Sequence, residues 1–152
     1  MLSSTVILPL VTCPNKIKGI INIEDIDTII SPAIGGITLG HDVARILKKK
    51  FIFVEKEDGI LKLRRFKINP NERFLIIEDV ITKGGRVQET INIVKSFKAE
   101  ILALGVLVDR SNKDINFDSP LVSLLDINPE TFHPNNLPEW LEKIPLTKPG
   151  SK

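Results

Sequence analysis

The sequence predicts an α/β fold, a mainly parallel central sheet with helices on both faces. Three observations predict it. Compact apolar runs alternate with stretches of helical periodicity, which is the pattern of β-α-β units. One run, ILALGVLV (101–108), is apolar without a break, as suits a strand covered on both faces. The length of 152 residues fits one domain with a real core.

Residues 1–24 show no regular periodicity and take no assignment. From Asp27 the pattern becomes regular. DTIISPAIGG reads as a short apolar strand ending in a Ser-Pro turn and a Gly-Gly pair. In LGHDVARILKKK, Leu39, Val43, Ile46 and Leu47 recur at helical spacing. Three lysines close that segment, where cations suit the negative end of the helix dipole. FIFVE (51–55) is a compact strand. KEDGILKLRRFKINPNE is charged and broken by Gly59, Asn69 and Pro70, which predicts a mobile loop or hairpin. FLIIE is a second buried strand. RVQETINIVKSF sets Val87, Ile91 and Val94 on one helical face, with Phe97 a further candidate. LVSLLDI is a candidate for one more strand, and the last twenty residues are proline-rich and irregular. The expected organisation is a single domain over 1–152, with an atypical segment at 1–24 and an irregular tail at 130–152.

Composition narrows the function. The formal charge of +2 is only mildly basic, so no nucleic-acid partner is expected. One cysteine, Cys13, excludes a disulfide framework and points to a reducing compartment. The run VILPLV (6–11) is too short to span a bilayer, lacks a basic leader and is interrupted by Pro9. The expectation is a cytoplasmic protein with no membrane partner. His41 and His133 are read as structural, and Trp140 and Cys13 take no functional assignment.

The chemistry concentrates in FLIIEDVITKGG, where a buried strand drives into two adjacent carboxylates and then a glycine turn. In a parallel sheet, ligands bind at the carboxyl ends of the strands. Glu78 and Asp79 would stand at that edge, since burial in the core would cost them their hydration. The turn from Thr82 to Gly85 opens a helix, and its amides with the positive helix end suit a phosphate. Acceptors for sugar hydroxyls thus sit beside donors for a phosphate, which suggests a phosphorylated sugar. On residue chemistry alone, an ordinary strand–turn–helix with solvated acids explains the stretch equally well.

The stretch LIIEDVITKGGRVQETI closely resembles the phosphoribosyl pyrophosphate motif of the type I phosphoribosyltransferases. More narrowly, the chain from about Asp27 is similar to the bacterial orotate phosphoribosyltransferase family. SPAIGGITLGHDVAR, FIFVEKEDGILKLRRF, EDVITKGG, GVLVDRS and IPLTKPGSK carry that similarity, in the family's order. The resemblance implies transfer of a phosphoribosyl group from phosphoribosyl pyrophosphate to orotate, giving orotidine 5′-monophosphate and pyrophosphate. It implies magnesium, held mostly by substrate phosphates and ribose hydroxyls, and a homodimer. Glu78 and Asp79 match the acids that bind the ribose hydroxyls, and both could also stabilise charge developing on the ribose ring, with Asp79 expected among the catalytic residues. The apolar pair Val80 and Ile81 leads into Thr82, Lys83, Gly84 and Gly85, which match the 5′-phosphate loop, with Arg86 beside them. Ser31, Ala33, Ile34, Gly35 and Gly36 fall in the loop that meets the pyrophosphate. Arg110 matches an arginine that holds orotate, and its fork suits a carboxylate. Lys56, Lys62, Arg64 and Arg65 fall in the segment matching a catalytic loop that closes over the neighbouring subunit's site.

Three features depart from that family. The N-terminus is short and lacks the expected hood segment over the base. Lys83 replaces a small residue. Arg86 stands where a small hydroxyl residue is common, and a cation at a helix start opposes the dipole unless an anion compensates. A shortened, impaired paralogue and a non-catalytic phosphoribosyl pyrophosphate-binding regulator are the alternatives. A purine-base transferase is disfavoured by the residues around Arg110.

Overall fold

A computed structural model describes residues 15–111 and 115–145. Apolar side chains alternate across the central strands, so the sheet carries a core on each face. Strand β1 (Thr28–Pro32) sends Ile30 to one face and Ile29 to the other. In β4 (Arg73–Ile81), Phe74 and Ile76 join Ile30, while Leu75 and Ile77 join Ile29. Helix α1 (Gly35–Leu47) covers the second face through Val43, Ala44 and Leu47. Helix α2 (Gly85–Ser96) covers the first through Val87, Ile91 and Val94. Three layers result, as predicted.

The remaining strands are β2 (Lys50–Glu57), β3 (Ile60–Lys62), β5 (Glu100–Asp109) and β6 (Leu121–Asp126), and a short helix α3 spans Glu139–Glu142. The sheet order is β3-β2-β1-β4-β5-β6. All pairs are parallel except β2 with β3. The chain leaves β1 through α1 toward β2 on one side. It leaves β4 through α2 toward β5 on the other. The adjacent carboxyl ends of β1 and β4 therefore diverge and open a crevice, where an open α/β sheet binds its ligand.

Several expectations need correction. Of the two expectations for the segment after FIFVE, a mobile loop or a hairpin, the hairpin is what forms, and it is packed on the core. Asp58 and Gly59 both have positive φ, 52° and 86°, the backbone of a tight hairpin turn. Leu61 and Ile68 are buried, Leu63 and Phe66 pack on the same core, and the Phe66 ring meets Phe53 edge-on at 5.0 Å. Charges at Lys62 and Arg64 hid this alternation, because they occupy the outward positions between the apolar ones. Ser31 and Pro32 do not form a turn. Both lie in β1, and Pro32 ends the strand, where its missing N–H costs little.

Helix α1 begins at Gly35, and its buried face is Gly36, Gly40, Val43, Ala44 and Leu47, with Ile46 left exposed. Small residues dominate that face because the helix lies hard against β1. A Cβ on Gly40 would collide with Ser31 Oγ and stand 2.7 Å from the Phe51 ring. Phe97 is also exposed, just past the end of α2. The N-terminal region contributes more than its lack of periodicity suggested, since Ile17 and Ile26 are fully buried against α1. Cys13 and the run at 6–11 lie outside the described residues.

Candidate functional site

The crevice is built from the two loops that the topology brings together. Glu78 and Asp79 lie in the carboxyl-terminal half of the central strand β4 and stand opposite the start of α1. The Gly35-Gly36 pair makes room for them. A Cβ on Gly35 would overlap the Asp79 carboxylate, and one on Gly36 would lie 3.1 Å from Glu78 Oε1. Side chains at those positions would push both acids out of place. The Asp79 carboxylate thus lies at the N-terminal end of a thirteen-residue helix, where negative charge is favoured.

The two acids differ sharply in surroundings. Asp79 is half-buried, and its Oδ1 accepts the Val80 N–H at 2.7 Å. Glu78 is 2 % exposed. Its Oε1 accepts the Asp79 N–H at 3.1 Å, while Oε2 has no partner. Burial pushes the Glu78 carboxyl up to about 8, helped by the neighbouring Asp79 carboxylate and opposed by the Asp79 amide and the Arg86 charge. A buried carboxyl with a free oxygen awaits a hydrogen-bonding partner.

Two cavities flank this pair. The first, of about 460 Å³, is lined by Glu78 through Val87 and by Glu89. Its floor is the turn from Thr82 to Gly85. Gly84 caps α2 with φ 71°, and a Cβ there would press on Ile115 and Phe117, so the tight turn requires glycine. The second, of about 770 Å³, joins Ala33, Ile34, Gly35 and Ile37 to Phe53, Glu55, Lys56, Arg65 and Arg86. Both fall in the size range of small-molecule sites.

A family model for the phosphoribosyl transferase domain matches residues 15–143. The chain belongs to the phosphoribosyltransferase family. It is 49% identical to an orotate phosphoribosyltransferase of Caldicellulosiruptor saccharolyticus over 85% of this chain and 68% of that one. It is 40% identical to one of Thermotoga maritima over 84% and 69%. The chain thus spans about two-thirds of those relatives' length. Among solved structures, orotate phosphoribosyltransferase from Aeropyrum pernix aligns with a TM-score of 0.66 at 20% identity, covering 82% of this chain and 72% of that one. Adenine phosphoribosyltransferase from Thermoanaerobacter pseudethanolicus aligns at 0.68 and 17%, covering 79% of each. At those identities the likeness speaks for the phosphoribosyltransferase fold alone.

The phosphoribosyltransferase fold gathers most of the expected site residues, but not all. Glu78 through Arg86 line the first cavity; Ala33, Ile34, Gly35, Lys56, Arg65 and Arg86 line the second. Ser31 and Gly36 are buried beneath them. Of the four hairpin cations, three are tied to the hairpin's own acids. Lys62 pairs with Glu57 at 2.7 Å, Arg64 with Glu57 at 3.2 Å, and Arg65 with Glu55 at 3.1 Å. Lys62 and Arg64 hold the Glu57 carboxyl below its usual range, chiefly through the Lys62 hydrogen bond. Lys56 has no such partner among the described residues. Lys62 and Arg64 line neither cavity. Nor does Arg110, which is exposed and whose backbone N–H donates to the Ile81 carbonyl at 2.8 Å. Sequence reasoning missed Phe53, Glu55, Ile37, Val87 and Glu89 as lining residues. Phe53 and Glu55 could have been found from their place near the carboxyl end of the strand beside β1. Glu89 could not, because only the fold brings its carboxylate to the Leu61 N–H, at 3.1 Å.

Proposed function

We propose that this protein transfers the phosphoribosyl group of phosphoribosyl pyrophosphate to orotate, forming orotidine 5′-monophosphate and pyrophosphate in pyrimidine biosynthesis. The observation that carries the reading is the pairing of Glu78 and Asp79 with a glycine phosphate turn on one side and a cation-lined cavity on the other. The ribose lies over the acids, the 5′-phosphate in the first cavity and the pyrophosphate in the second. The C1–oxygen bond breaks and its electron pair leaves with pyrophosphate. Orotate N1 forms the new bond to C1, and its proton passes to the departing pyrophosphate or to solvent. Asp79, the more exposed acid, stabilises positive charge developing on the ribose ring. Glu78 binds a hydroxyl through its free Oε2. Lys56 faces the departing charge, and Arg65 joins it when released from Glu55. Arg110 receives the orotate carboxylate.

Magnesium fits this donor set as an ion carried by the substrate. Among the described residues no group of three or more His, Cys, Asp or Glu forms a metal cage. Glu78 and Asp79 would meet the ion through the ribose hydroxyls they hold, and it would supply charge neutralisation to the pyrophosphate. We further infer a homodimer acting in the cytoplasm; no helix among the described residues is long and apolar enough to cross a membrane. The test is a magnesium-dependent assay that follows orotate consumption with phosphoribosyl pyrophosphate present. Product formation supports the transferase. Binding of the sugar phosphate without any product would favour a sensor instead.

A further inference from the structure

We propose that Arg86 is a shared anchor of the two cavities, holding the pyrophosphate arm of the substrate as well as serving the 5′-phosphate turn. The inference rests on the reading above and goes beyond it. Among the described residues, Arg86 is the one that lines both cavities. It is the second residue of α2, after a cap that makes no side-chain hydrogen bond, and the first turn holds no acid. A cation there is repelled by the positive end of the helix. Among the described residues nothing offsets that repulsion: the guanidinium makes no ion pair and no hydrogen bond, and only the Arg86 carbonyl is engaged, by Thr90 Oγ1 at 2.8 Å. The buried Glu78, with its unpartnered oxygen, lies in the first cavity and feels the Arg86 charge.

The second cavity decides which anion Arg86 serves. Its one carboxylate, Glu55, is already engaged by Arg65 at 3.1 Å and approached by Arg64 at 3.7 Å. Lys56 and Arg86 are left as cations without ion pairs on its wall. Such a cavity suits an anion with several charges, and pyrophosphate is the multiply charged group in this reaction. An arginine fork holds two oxygens at once in a fixed planar geometry, whereas a lysine acts as a point charge. One side chain can thus bind the leaving group while its charge bears on the ribose-binding acids.

The test measures binding of three probes, each with magnesium, by calorimetry: pyrophosphate, ribose 5-phosphate and phosphoribosyl pyrophosphate. The proteins are wild type, Arg86→Ala, Arg86→Gln and Arg86→Lys. In the Ala and Gln variants we expect pyrophosphate to bind about 10- to 100-fold more weakly, the loss of charged hydrogen bonds. Ribose 5-phosphate should lose clearly less, and Arg86→Lys should recover part of the pyrophosphate affinity. The ligand-free Ala and Gln variants should melt at or above the wild-type temperature, since helix–charge repulsion is removed; a merely structural arginine would lower it. If pyrophosphate affinity is unchanged, or only ribose 5-phosphate weakens, the shared role is overturned. If wild type binds none of the probes, the functional reading itself falls.

Discussion

Glu78 and Asp79 are sequence neighbours with different physics. Asp79 is partly solvated beside a helix start, whereas Glu78 is buried with an idle oxygen. Asp79→Asn should lower turnover at least ~10-fold with the fold intact, since one electrostatic contact to a developing charge is often worth about 10²–10³ in rate. Steady-state kinetics equal to wild type would remove Asp79 from the site. Glu78 makes a pH prediction for the ligand-free protein. Its folded-state value lies near 8, above the ordinary 4.5, so the folded state binds the proton more tightly. The favourable contribution is fully present below the ordinary value and is lost as pH rises through about 8. Stability should therefore fall across that window, by at most about 1.4 kcal/mol per pH unit from this group. Denaturant melts of Glu78→Gln should show a shallower slope, and an identical slope would mean Glu78 titrates normally. Gly84→Ala should cost about 1–2 kcal/mol, from positive φ alone, before the contact with Ile115 and Phe117 is counted.

At the scale of elements, the β2–β3 hairpin carries two jobs on two faces. Its inner face is core, through Leu61, Phe66 and Ile68. Its outer face carries the cations. Leu61→Ala should destabilise by about 2–5 kcal/mol, the usual cost of a large-to-small core change. Replacing Lys56, Lys62, Arg64 and Arg65 together by alanine should abolish turnover yet barely move the melting temperature, because exposed ion pairs hold little stability. Lys56→Ala alone should account for most of the kinetic loss, since Lys56 lines the cavity without an acid partner. A large melting shift in the fourfold variant, with Leu61→Ala mild, would reverse this division. The hairpin also shows why its character was hard to read. Alternation was present, but each apolar position was separated by a charge, and composition outweighed periodicity.

At the scale of the whole molecule, the switch point between β1 and β4 unites loops some forty residues apart in sequence. A ligand that touches both should tie the fold together. Phosphoribosyl pyrophosphate with magnesium, at roughly 100 times its dissociation constant, should stabilise it by about 2.7 kcal/mol. Orotate alone should stabilise it much less, because Arg110 lines neither described cavity. A thermal melt unmoved by the sugar phosphate would sink the reading of the crevice.

The sequence by itself determined the α/β class, the central strands and the acid–glycine motif, because each is local: periodicity, an unbroken apolar run, and residue types in a fixed order. Only the tertiary structure decided the rest. It showed that Gly35 and Gly36 make room for acids more than forty residues away, and that Ile17 belongs to the core. It also showed that hairpin acids hold three of the four cations and that Arg86 faces two cavities. These are distances between residues far apart along the chain, set by packing and strand order, and no local pattern encodes them.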